Sequence, residues 1–158
     1  MTMSKEEGKL QKELLDKKKG WPFHYKDVYI SKTHEMLSSG KPDLRVSCPS
    51  FGQLDIELKH KTTGPRGLNT GVTALQEITI NNMNAAGMPA VALVWSQTEL
   101  LWFLTLDEVI DPRERPIVHW IKPVYNRVPL LESVYRHAKE LLNERGYPSA
   151  AHLPKIDW

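Results

Sequence analysis

Cysteine is nearly missing from this chain: Cys48 is the only one in 158 residues. A lone thiol cannot close an internal disulfide and offers no cysteine zinc pattern, so a reducing, cytoplasmic compartment is expected, as in a bacterium or the host cell of a virus. Long apolar runs are missing too. No stretch approaches the ~18 consecutive apolar residues of a membrane helix, and no membrane partner is expected. The N-terminal MTMSKEEGKLQKELLDKKKG is charged where a signal peptide would be apolar. An excess of one charge is also lacking: the formal net charge of +2 is compatible with a polyanionic partner but too small to establish one. The histidines, at 24, 34, 60, 119, 137 and 152, show no His-x-x-x-His spacing, and most are expected at the surface. There is no internal repeat and no low-complexity segment.

What remains is a chain of ordinary composition, long enough for one domain with a real core. Residues 4 to 19 carry strong helix formers with Leu10, Leu14 and Leu15 on one face, and Gly20 is a plausible stop. WPFHYKDVYI supplies strand formers after Pro22, DLRVSC and LDIELKHK read as a hairpin, and TTGPRGLNTG is a loop. VTALQEITINNMNAAG predicts a helix with Val72, Leu75, Ile78 and Ala86 in period, ended by Gly87 and Pro89. AVALVW predicts a strand covered on both faces, and LLWFLTLDEVI a further strand leading into a short helical turn. Residues 111 to 131, with four prolines, read as irregular. LLESVYRHAKELLNERG predicts a last helix burying Leu131, Val134, Tyr135, Ala138, Leu141 and Leu142. Trp95, Trp102 and Phe103 are expected in the core or at a subunit interface. This order predicts an α/β domain with a central sheet flanked by helices.

The charges inside the strands bear on function. Successive strand side chains point to opposite faces, so Asp55, Glu57, Lys59 and Lys61 share one face and Leu54, Ile56 and Leu58 the other. Alternation of this kind is what an exposed edge strand shows, where cross-strand ion pairs contribute well under ~1 kcal/mol. If the preceding strand pairs with this one, however, Asp43 approaches Glu57. Two close carboxylates repel unless a proton or cation lies between them, and a hard divalent ion such as Mg²⁺ accepts such oxygens. Lys59 would then stand beside a water or a substrate phosphate, which is a working arrangement for phosphodiester hydrolysis. Asp55 could join the set or stand as a solvated neighbour.

Pro42-Asp43, thirteen intervening residues, then Glu57-Leu58-Lys59 resembles the PD-(D/E)XK nuclease signature. The hairpin carrying it, Gln76 at the start of the following helix, LKHKTTGPRGLN and ELLWFLTLDEVI are similar to RecU-type Holliday junction resolvases, and the Gln-helix-Gly-strand pattern also to VRR-NUC nucleases. The resemblance spans roughly residues 6 to 110; a C-terminal extension, about 111 to 158, matches neither. The long basic N-terminal region and the junction-entering stalk of RecU-type proteins are not recognisable here.

The resemblance implies a restriction-endonuclease-like core, a mixed central β-sheet flanked by helices, with an extra C-terminal helix. It implies Asp43, Glu57 and the Leu58 carbonyl as Mg²⁺ ligands (Mn²⁺ substituting), Lys59 as the catalytic lysine, and Gln76 as a group orienting water or contacting phosphate. An acid of the first helix, Glu6, Glu7 or Glu13, would complete the site; Glu7, one turn before Gln11, is the choice. Lys61 and Arg66 are candidate DNA-phosphate contacts, with Lys17 to Lys19 as further candidates. Trp21, Phe23, Tyr25 and Tyr29 could stack on bases or pack in the core. The function implied is a DNA endonuclease acting on branched or junction DNA. Symmetric junction cutting would require a homodimer. The alternatives are a VRR-NUC-like nickase or flap nuclease, and a non-catalytic nucleic-acid-binding module on the same fold.

Overall fold

The computed structural model describes residues 5–16, 28–32, 40–61, 69–110, 119–125 and 127–153. It is an α/β structure built on one six-stranded mixed sheet. In chain order the elements are α1 (Lys5–Leu15), β1 (Tyr29–Lys32), β2 (Leu44–Cys48), β3 (Gly52–Lys61), α2 (Ala74–Ala85), β4 (Ala90–Ser96), β5 (Leu101–Thr105) and β6 (His119–Ile121). A small hairpin of β7 (Pro123–Tyr125) and β8 (Val128–Pro129) follows, then α3 (Leu131–Glu144) and a 3₁₀ turn, Pro148–His152. The sheet runs β1-β2-β3-β4-β5-β6, antiparallel throughout except for the parallel β3–β4 pair that α2 connects.

β3 is therefore an interior strand. Leu54, Ile56 and Leu58 are fully buried on one face, and Asp55, Glu57 and Lys59 are buried on the other. The plain reading of the alternation, a solvated edge, does not hold: water is excluded from both faces, and each charge needs a partner. Cross-strand pairs project to the same side, so the register extends the apolar face through Leu58↔Leu93, Leu93↔Leu104 and Leu104↔His119. α3 covers that face, where Tyr135 stacks on Phe51 at 5.4 Å between centroids and its hydroxyl donates to the Val46 and Gly52 carbonyls. α1 packs there too, tied in by an ion pair between Glu13 and Arg127, whose carbonyl accepts the Trp102 indole N–H at 2.9 Å. Trp95 and Trp102 meet edge to face within this core, and Phe103 is buried on the opposite face against Trp120.

α2 lies on the Glu57 face. It begins at a complete capping box: Thr73 Oγ1 accepts the Gln76 N–H, and Gln76 Oε1 accepts the Thr73 N–H. At its other end the fully buried Asn84 bonds the Ile80 carbonyl, both polar groups of Ala90 and the Ser149 hydroxyl, so one amide locks α2 to β4 and the 3₁₀ turn.

Several sequence expectations are corrected. α2 buries Gln76, Ile80 and Asn84, whereas Leu75 and Ile78 are 44% and 55% exposed. The helix turns a polar stripe inward because the strand face it covers is charged. The stretch 111 to 131 is not simply irregular: His119–Ile121 adds the sixth strand, and a two-stranded hairpin follows. The strand at 101–105 leads into a bend and an isolated bridge, Asn69↔Val109, with no helical turn. α1 ends at Leu15, and Lys17 to Lys19, Trp21, Phe23 and Tyr25 lie outside the described residues. No helix among the described residues is long and apolar enough to cross a membrane.

Candidate metal centre

The site forms where β3 outruns β2. β2 begins at Leu44, opposite Ile56, so the ladder on that side stops just before Glu57. Asp43, the residue ahead of β2, takes its place: Asp43 Oδ2 accepts the Leu58 N–H at 3.1 Å. The N–H and C=O of one strand residue point to the same side. The Leu58 carbonyl is therefore directed toward Asp43 as well. Gly40 makes this approach possible. It has φ +77°, and a Cβ there would lie 2.7 Å from Thr79 Oγ1 and 2.8 Å from the Leu75 carbonyl. Only glycine lets the segment leading to Asp43 lie this close to α2.

Glu57 is held from one side only. Its Oε1 accepts Gln76 Nε2 at 2.7 Å and lies 3.4 Å from Lys59 Nζ. Its Oε2 is buried and, apart from a proton it can share with Asp43, faces no hydrogen-bond donor among the described residues. Burial and the neighbouring Asp43 carboxylate push the Glu57 pKa up to about 8, against the lowering influence of Lys59. Asp43 is raised as well, chiefly by burial and in spite of the Leu58 N–H and Lys59. A half-buried and a buried carboxylate beside one lysine leave an uncompensated negative charge when both ionise. Either a proton or a cation must supply the balance.

The donor set fits a hard divalent ion: carboxylate oxygens from Asp43 and Glu57, of which Glu57 Oε2 faces no other donor among the described residues than that shared proton, and a backbone carbonyl from Leu58. Lys59 is buried, and its aliphatic stem lies against Gly71, whose added Cβ would be 3.5 Å from Lys59 Cδ. Gln76 is tied to both its own helix and the site. Its oxygen is taken by Thr73 and its amide nitrogen donates to Glu57, which makes it an anchor for the carboxylate.

The other candidates separate. Asp55 is buried and held by Arg45, whose Nε donates at 2.8 Å; it is neither solvated nor aimed at Glu57. Of the first-helix acids, Glu13 is bound to Arg127 and Glu6 lies 3.9 Å from Lys9, while Glu7 is half-buried one turn before the buried Gln11. Lys61 ends β3 on the same face as Lys59, half-buried, with its pKa lowered by burial. Arg66 lies outside the described residues; Tyr29 is 69% exposed. A cavity of about 440 Å³ is lined by Lys32, Lys41, Pro42, Arg45, Asp55 and Met83, next in sequence to Asp43 but not lined by Asp43, Glu57 or Lys59.

Sequence reasoning missed a second constellation. His119, expected at the surface, is buried, and meets His137 and Glu140 of α3. His119 and His137 are eighteen positions apart on different elements, so no local spacing could join them. No model of a known protein family matches the chain, and no curated protein matches it in sequence.

Proposed function

We propose that this protein is a Mg²⁺-dependent DNA endonuclease acting on branched DNA such as four-way junctions. The observation that carries the reading is half-buried Asp43 and buried Glu57 side by side next to Lys59, with Glu57 Oε2 facing no other hydrogen-bond donor among the described residues than a proton shared with Asp43. A buried carboxylate oxygen facing no donor is costly, and a divalent cation held between Asp43 and Glu57 satisfies it where both are ionised.

Asp43, Glu57 and the Leu58 carbonyl would hold the ion, which when bound neutralises charge on the scissile phosphate and acidifies a water for attack. The chain's own residues do the rest. Gln76 and the Leu58 N–H fix the two carboxylates against rotation, so the ligand oxygens are preorganised. Lys59, packed along Gly71, presents its ammonium to the attacking water or to a phosphoryl oxygen, where negative charge develops. Lys32 and Lys41, which line the nearby cavity, would supply cations for the flanking phosphates, while Arg45 stays committed to Asp55. Symmetric junction cutting needs a homodimer, with one active site for each strand cut.

The test is cleavage of labelled four-way junction, flap, nicked and plain duplex DNA side by side, by wild type, Asp43→Ala and Lys59→Ala. Both variants should lose Mg²⁺-dependent cleavage and keep DNA binding. Retained cleavage in either refutes the assigned roles, and a strict monomer at working concentration refutes the junction-cutting version.

A further inference from the structure

The last third of the chain holds a second group of metal-competent side chains, on the sheet face opposite Glu57. His119 stands on β6 and His137, Glu140 and Glu144 on α3, the last three spaced to share one helix stripe. His119 Nδ1 and His137 Nδ1 are 3.2 Å apart, and Glu140 Oε2 lies 3.8 Å from the first and 3.7 Å from the second. Glu140 is too far from either nitrogen for a hydrogen bond. It is well placed for a shared ion, since the point equidistant from the three atoms lies about 2.1 Å from each, the length of a zinc–imidazole bond. The outer nitrogen of His119 is also provided for. Its Nε2 lies 3.2 Å from Glu144 Oε2, a carboxylate that fixes the tautomer with the proton on Nε2 and the Nδ1 lone pair directed inward.

We propose that His119, His137 and Glu140 form a second metal site, for a borderline transition ion of the zinc class, that clamps α3 to the edge strand β6, with Glu144 orienting His119. Two imidazoles and one carboxylate select zinc, cobalt or nickel over Mg²⁺, which prefers oxygen ligands and retains its waters. The half-exposed Glu140 leaves the remaining coordination position to solvent. Loading gives up two contacts, the 3.2 Å hydrogen bond between His119 Nδ1 and His137 Nδ1 and the weak 3.5 Å approach of Arg136 Nη2 to His137 Nε2. The clamp closes the sheet at the end where β6 pairs with β5 through only three residues and where α3 is its cover. It is independent of the carboxylate site and stands whether or not the protein cuts DNA.

The experiment is titration of the chelator-treated full chain with Zn²⁺ in excess Mg²⁺, by calorimetry, together with Co²⁺ absorption spectra. Wild type and Asp43→Ala should each bind one ion with the same affinity, and Co²⁺ should give the intense visible bands of four-coordinate nitrogen–oxygen ligation. His137→Gln and Glu140→Gln, at partly exposed positions, should each weaken binding by at least ~100-fold, and Glu144→Gln by about 10-fold. Thermal melts of these variants without metal check that each is folded. Absence of Zn²⁺ binding by wild type, undiminished binding by folded His137→Gln, or loss of binding in Asp43→Ala overturns the proposal.

Discussion

Glu57→Gln should make the metal-free protein more stable while destroying the site. With both carboxylates ionised, Asp43, Glu57 and Lys59 carry one excess negative charge in a buried space, and the substitution removes it. The new amide keeps an oxygen for Gln76 and Lys59 and places donors where Glu57 Oε2 faces none but a proton shared with Asp43. The magnitude follows from linkage. The folded-state pKa of Glu57 stands near 8 against an ordinary 4.5, so the folded protein binds more protons than the unfolded chain between those values. The stability contributed by Glu57 is therefore fully present below about pH 4.5 and is lost as pH rises to about 8. At ~1.4 kcal/mol per pKa unit the ceiling is roughly 5 kcal/mol, and sharing of the proton with Asp43 lowers the realised change below it. Urea denaturation in EDTA between about pH 5 and about pH 9 would measure it. Wild type should lose stability with rising pH and regain it on adding Mg²⁺, by about 2.7 kcal/mol at a hundred times Kd. The variant should be flatter with pH, more stable at the alkaline end and insensitive to Mg²⁺. A variant less stable than wild type at about pH 8, or with the same pH slope, refutes the picture of a strained carboxylate pair.

Gln76→Leu removes both the reciprocal cap of α2 and the donor on Glu57 Oε1. It should cost about 1–2 kcal/mol in denaturation and weaken Mg²⁺ binding seen by calorimetry. Glu57→Gln, by contrast, loses the ion without losing the cap. Gly40→Ala meets Thr79 Oγ1 and the Leu75 carbonyl at a positive φ, so it should destabilise by about 2–3 kcal/mol and displace Asp43. Unchanged Mg²⁺ affinity and melting in that variant would show that the segment before Asp43 does not position it.

Much of the site was legible because strand periodicity is local. The two-residue repeat in LDIELK places Glu57 and Lys59 on one face whatever the fold, and the hairpin reading brings Asp43 beside them. The last helix was equally legible, since all six of its expected core residues are buried. α2 misled for a physical reason: a helix that covers a charged strand face buries Gln76 and Asn84, so its apolar residues mark the outside. The edge strand at His119 was hidden by surrounding prolines and by its length of three residues.

Sequence alone determined the chemical inventory of this protein: an acid ahead of one strand, an acid and a lysine alternating in the next, and a glutamine opening a helix. Tertiary structure decided what these groups do. Asp55 and Glu57 are equivalent by periodicity, yet Arg45 neutralises the first while burial, and then the Asp43 carboxylate, raise the pKa of the second. That difference comes from cross-strand register, because a charge in a dry interior takes its state from the nearest partner, and the nearest partner is set by which residue the sheet places opposite. The same register, carried across β5 to β6, brings His119 to α3 and joins residues that no spacing along the chain connects.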